Sequence, residues 1–238
     1  AIQMRKSRLE DTLRSLESFS AKTLSETNQL NLRLFTQLTR NELEISQYNR
    51  HLLPFSHRGG IQLAHEDSEV IPLKSFDNYY FWIQRLRNLD KRIEQTIALA
   101  KLGLQKGYKP PKILMERVNR QINLQSHSKV KDSPFYKVFI DLPESISKED
   151  QTSLRMEAEE VIKETVIPSY LLLEKYFKEE YLLQSRESVG LYDIPNGREL
   201  YEALTKSFTT TDLSPKEIHQ IGLKEVKRIR SRLQTKTL

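Results

Sequence analysis

The sequence predicts an all-α fold, a multi-helix bundle or array with long loops. Three observations carry this. Helix formers (Leu, Glu, Lys, Arg, Gln) are abundant and only 7 of 238 residues are glycine. Apolar residues recur three and four apart in one segment after another. Helix starts and stops are marked by caps, above all at Phe208–Arg230, where Ser214, Pro215 and Glu217 form an S-P-x-E start. The exception is a short run near 135–142, FYKVFIDL, whose alternation reads as an extended strap lying over helices.

In chain order, Leu9, Leu13, Leu16 and Phe19 mark a first helix. A second starts at the N-cap candidate Ser25 and carries Leu30, Leu34, Leu38 and Ile45, so residues 1–50 read as an antiparallel helical hairpin. Pro54 ends it. The loop that follows holds Gly59-Gly60, which reads as a turn, because no Gly-Lys-Ser/Thr follows to make a phosphate loop.

Ser75 opens a helix through Tyr79, Tyr80, Trp82, Ile83 and Leu86, whose aromatics sit at core spacing. Another helix spans about 89–106. Gly107 is its stop, and Pro110-Pro111 bar continuation. Pro111 begins the next helix, with Leu114, Val118 and Ile122, and a polar loop is expected over 125–131. Ser147 and Asp150 mark a further start. Pro168 is expected to kink or break that helix before the strongly amphipathic SYLLLEKYFKEEYLL. Pro195-Asn196-Gly197 is a turn, Glu199–Phe208 a short helix, and Thr209–Thr211 a bridge to the capped helix. That last helix carries Ile218, Ile221, Val226, Ile229 and Leu233, and reads as a buried helix with a fixed start. The chain is expected to form a single helical unit over 1–238, with a possible division into the hairpin 1–50 and a main body 51–238.

Composition narrows the chemistry. With no cysteine, disulfides, thiolate zinc sites and cysteine nucleophiles are excluded. No run approaches the ~20 apolar residues of a membrane span. The N-terminus AIQMRKSRLE lacks the apolar core of a signal peptide, and a start at Ala1 fits a processed or trimmed chain. The charge of +6, from 38 basic and 32 acidic residues, is a mild excess over a highly charged surface. Its densest run, Lys224 to Lys236, reads as a solvated helix face with cations near a helix C-terminus rather than a nucleic-acid surface.

No residue set announces a catalyst. His51, His57, His65 and Glu66 lack the spacing of helical zinc ligands and read as exposed or capping histidines. Glu159-Glu160 and Glu179-Glu180 are pairs of the kind a highly charged chain produces by chance. A nucleophile elbow is absent. The hydroxyls of Thr209, Thr210 and Thr211 lie near a helix start, where they cap and turn the chain or line a cleft. His219, one turn into the capped helix, faces a site or sits at its edge.

Four segments, in order, resemble a bacterial family filed as domain of unknown function 885: NLDKRIEQTIALAKLGLQKGYKPP, VIPSYLLLEKYFKEEY, IPNGRELY and TTTDLSPKEIHQIGLKEVKRI. The resemblance covers about residues 25–238. Full-length members look like gluzincin-type zinc metallopeptidases, mostly helical and often exported or lipid-anchored. Their H-E-x-x-P-G-H-H zinc motif lies beyond the point matching Leu238, and the lone His65-Glu66 lacks its continuation.

The resemblance therefore implies a non-catalytic N-terminal helical half that shapes one wall of a substrate cleft and is inactive alone. Tyr201, Thr209, Thr210, Thr211 and His219 match family positions and are its cleft candidates. Zinc would be held only by the C-terminal half, with no cofactor, metal or catalytic residue in this chain. The implied partners are a peptide substrate and the protein's own C-terminal half. A homodimer is possible through apolar surface left uncovered, and the implied compartment is periplasmic or extracellular, with the cytoplasm not excluded. The alternative is a stand-alone helical module that binds protein or nucleic acid.

Overall fold

The computed structural model describes residues 2–236. In chain order the helices are α1 (Ile2–Glu17), α2 (Glu26–Ser46), α3 (Asp67–Val70), α4 (Phe76–Arg87), α5 (Leu89–Gln105), α6 (Lys112–Ser126), α7 (Lys148–Val161), α8 (Ile167–Tyr176), α9 (Gly197–Thr209) and α10 (Pro215–Lys236). Among the described residues there is no β-strand, only the isolated bridges Ser56–Gly59 and Pro111–Arg186. The all-α expectation holds. Among the described residues no helix is long and apolar enough to cross a membrane. Packing divides the chain into two compact units, residues 50–190 and residues 1–49 with 191–238.

The 50–190 unit holds nearly all the buried apolar side chains. Its axis is one long helical run, α7 and α8 joined through a π-helical segment at Ile162–Val166 and ending in a second at Phe177–Tyr181. Helix α8 packs on α5 and α6, and α4 packs on α7. Trp82, Ile83, Ile93, Val118, Ile122, Ala158, Tyr170, Leu173 and Phe177 meet in the core. The Tyr170 hydroxyl donates to the Ile61 carbonyl at 2.5 Å, so this buried phenol keeps a partner.

Local chemistry accounts for the boundaries. Helix α5 ends in a Schellman motif. Gly107 takes φ 81°, its N–H donates to Leu104 O at 3.1 Å, and Tyr108 N–H donates to Gly103 O at 2.9 Å. Gly103 serves a second purpose, because a Cβ there would lie 2.1 Å from the Leu52 carbonyl oxygen. The chain before α3 thus docks against α5 only where a side chain is missing.

Four expectations need correction. The 135–142 run is not extended; Lys137–Phe139 is a 3-10 turn. Its buried residues are Phe135, Tyr136, Phe139 and Leu142, spaced one, three and three, a helical rather than alternating period. Arg155 satisfies its carbonyls in place of a partner strand, donating to Phe139 O at 3.0 Å and Ile140 O at 3.1 Å.

Pro168 does not break its helix. It falls in the first turn of α8, where a missing N–H costs least. The π turn before it, closed by Ile167 N–H on Ile162 O, moves the buried stripe one residue along. A regular helix would continue Leu154, Ala158 and Val161 at 165 and 168, which are half-buried and exposed, whereas the buried positions after Val161 are Ile162, Val166, Ser169 and Tyr170. Residues 125 and 126 belong to α6 and are buried, so the polar loop begins later.

In the other unit, α1 packs on α2 with ion pairs Arg40–Glu17 at 2.8 Å and Arg5–Glu42. Ser25 accepts from Asn28 N–H at 3.4 Å, as an N-cap. Helix α9 packs on α2 and buries Leu200 and Ala203. The fourth correction concerns α10. Its start is fixed as expected, with Glu217 Oε2 accepting from Ser214 N–H at 2.8 Å and Glu217 N–H donating to Ser214 Oγ at 3.3 Å. The helix itself is not buried: Ile221, Leu223, Val226 and Ile229 are each about half exposed. An apolar stripe says that a helix face is built for a partner, not that the partner is this chain.

Candidate functional site

The five cleft candidates lie in the unit of residues 1–49 and 191–238, along α9 and into α10. Thr210 ends α9 in the left-handed region, at φ 56°, and this turns the chain. Thr209 Oγ1 donates to Thr205 O at 2.8 Å and lies 3.0 Å from Thr211 Oγ1. Thr210 Oγ1 donates to Thr209 O at 2.7 Å. Two hydroxyls are thus brought together at an exposed corner, with Lys206 and Asp212 paired beside it at 2.9 Å. Tyr201 turns to a different neighbour; its ring meets Tyr192 edge-on at 5.4 Å. His219 is exposed on the first turns of α10. The structure joins Thr209 and Thr211 directly, whereas Tyr201 packs on Tyr192 and His219 stands exposed on α10.

Sequence reasoning missed two polar sites in the 50–190 unit. The first is Glu174, buried on α8. Ser126 Oγ donates to it at 2.7 Å, His127 Nε2 lies 3.1 Å away, and Lys178 pairs with it from the next turn. Burial alone would raise its carboxyl. The hydrogen bonds from Lys178, Ser126 and His127 outweigh that and hold it at about 2. A lone carboxylate at a core position of an otherwise apolar turn, with Lys178 four residues on, was the available signal. The arrangement ties the C-terminus of α6 to α8, and the serine donates to the carboxylate rather than to a base, so it is not a nucleophilic triad.

The second is a recess of about 380 Å³ lined by His65, Ser68, Glu69, Pro134, Lys137 and Val138. His65 is half-buried rather than exposed or capping. Its ring stands edge-on to Phe135 at 5.8 Å, and Gln125 Nε2 lies 3.0 Å from Nδ1. Burial pushes the imidazole down, Glu66 and Glu69 pull it up, Lys137 pushes it down, and the net is below its ordinary value. His57 also departs from the exposed reading, with its Nδ1 buried. The Gly59-Gly60 loop is a turn, with paired bonds between Ser56 and Gly59 at 3.1 and 3.2 Å. Among the described residues no three His, Asp or Glu side chains gather as a metal site.

No curated protein matches the chain. A solved structure, "the putative lipoprotein from Colwellia psychrerythraea", shares the fold with TM-score 0.79 at 22% identity. The match covers 94% of this chain and 40% of that one, so this chain spans well under half the length of that relative. The family described as "Bacterial protein of unknown function (DUF885)" matches residues 1–237, which brings α1 inside the resemblance as well. This chain belongs to that family.

Proposed function

We propose that this chain is a non-catalytic helical portion of a zinc metallopeptidase-like hydrolase, with the α9–α10 corner forming one wall of its substrate groove. The observation that carries the reading is the pair of apolar faces left open in one unit. On α2, Leu30, Leu34 and Leu38 are 48–64% exposed, and on α10, Ile221, Val226 and Ile229 are 47–48% exposed. Apolar faces left open in this regular way mark an interaction surface. Hydrolysis by zinc needs three protein ligands and an open position, which the described residues do not assemble. The ligands would come from a further part of the same protein, seated on these faces.

In this reading Thr209 and Thr211 offer paired hydroxyls to a peptide backbone, and Tyr201 and His219 flank them. An exported, lipid-anchored setting is proposed by analogy with the Colwellia protein. Without its covering part, the chain would form a homodimer through the same faces.

The test is to express the protein encoded by the reading frame through and past Leu238 and assay it for peptide hydrolysis with and without a chelator. Chelator-sensitive cleavage is expected from the longer protein and none from this chain alone. Thr211→Val should raise KM roughly 3–10-fold with kcat little changed, the mark of a binding contact. Cleavage by this chain alone, or a frame without a downstream His-Glu zinc motif, overturns the proposal.

A second reading rests on α4. Tyr79, Trp82, Ile83 and Leu86 are core, as spacing required, but Phe76, Tyr80 and Phe81 are exposed. Phe81, Gln84, Arg85, Asn88 and Arg92 line a groove of about 460 Å³. Aromatics beside arginines suit a protein-binding module. Asp67, which pairs with Arg85 at 3.0 Å, works against a polyanion there.

A further inference from the structure

The recess beside His65 lies wholly within the 50–190 unit and is untouched by the reading above. It is built from several segments. The turn before α3 supplies His65, α3 itself supplies Ser68 and Glu69, the turn at Pro134 supplies that proline, and the 3-10 turn Lys137–Phe139 supplies Lys137 and Val138. None of these polar groups is committed to an ion pair across the recess. Ser68 Oγ donates to the His65 carbonyl at 2.7 Å, which leaves its lone pairs open. Gln125 is buried on α6 with its amide nitrogen on His65 Nδ1. An amide N–H only donates, so in this orientation Nδ1 accepts and the ring proton sits on Nε2. With the Gln125 amide so oriented, Nε2 is the donor of the ring, and Phe135 stands edge-on to the imidazole at 5.8 Å.

The charges around it select the ligand class. A plain anion meets Lys137 and the His65 N–H but is opposed by Glu69 and, beyond it, Glu66. A plain cation meets Glu69 but is opposed by Lys137. A molecule that carries both charges on neighbouring atoms satisfies both walls at once. Pro134 and Val138 add an apolar wall for an aliphatic side chain, and a volume of about 380 Å³ is in the range of small-molecule sites.

We propose that this recess binds the α-ammonium carboxylate group of a free amino acid with an aliphatic side chain. The carboxylate lies between Lys137 and the His65 N–H, and the ammonium group lies on Glu69.

The experiment is titration calorimetry, with saturation-transfer NMR as a second readout, using L-leucine, N-acetyl-L-leucine and L-leucinamide. L-Leucine is expected to bind in the millimolar range or better. The two blocked analogues, each lacking one charge, should bind at least tenfold more weakly. Lys137→Ala and Glu69→Ala should each weaken leucine at least tenfold. Both residues are exposed, so an unchanged melting temperature certifies that the variants are folded. Absence of leucine binding, equal binding of the blocked analogues, or binding unchanged in both folded variants overturns the assignment. Binding of the amide alone would make the recess a site for amines and overturn it equally.

Discussion

Glu174 is a buried carboxylate whose neighbours keep it charged. A buried carboxylate with fewer donors would be costly. Here Ser126, His127 and Lys178 converge on it, and the charge is kept. A carboxyl held near 2, against an ordinary 4.5, contributes stability that is fully present above about pH 4.5. That contribution is lost as pH falls through about 2. The shift corresponds to roughly 3 kcal/mol. Glu174→Gln is expected to remove this acid-side loss, so urea unfolding free energies measured from pH 2 to 7 should fall less steeply in the variant. An identical acid limb in both proteins would show that the ion pair contributes nothing. Gly103 makes the complementary point. Spacing located the stop of its helix at Gly107, but nothing in the sequence announced that residue 103 must lack a Cβ to admit the Leu52 carbonyl.

At the scale of elements, starts were legible and partners were not. The Ser25, Ser147 and Ser214 caps stand where read, because a cap is a contact within four residues. Helix α10 tests what a cap is worth when packing gives little. A helix held only by local terms is marginal in water, so Ser214→Ala should cost about 1 kcal/mol of local stability. Hydrogen exchange should then accelerate roughly fivefold along α10 and be unchanged in α6. Equal acceleration in both would mean that α10 is held by the whole fold.

The π segments mark the limit of periodic reasoning. Helices α7 and α8 each bury one face, yet the π turn between them shifts the register of that face, and α8 buries Glu174 while exposing Leu171 and Leu172. Only the observed register explains why Pro168 leaves the run intact. The 135–142 turn was misread for a similar reason. Eight residues are too few to tell alternation from a three-residue period, and Arg155, which settles the matter, lies 15 and 16 residues from the carbonyls it holds.

For the whole molecule, burial is uneven. In the unit of residues 1–49 and 191–238 the buried apolar side chains among those described are Ile194, Leu200 and Ala203, while every other one lies within 50–190. Local opening follows the supply of buried contacts. Limited proteolysis of the chain should therefore leave a resistant fragment close to residues 50–190, with cuts in α1, α2 and α10 appearing first. Simultaneous loss of both units would mean that they unfold as one.

By itself the sequence determined the helical class, most helix boundaries and the caps, because these depend on spacing and on bonds that close within a turn. It also carried the family resemblance, through ordered motifs. Tertiary structure alone decided which apolar stripes are covered, where the helical register slips and which distant polar groups meet. It buried Glu174 among three donors and gathered His65, Glu69 and Lys137 around one recess. The polar meetings depend on groups tens of residues apart, such as Ser126 and Glu174 at 2.7 Å or Gln125 and His65 at 3.0 Å, an approach that no local pattern encodes.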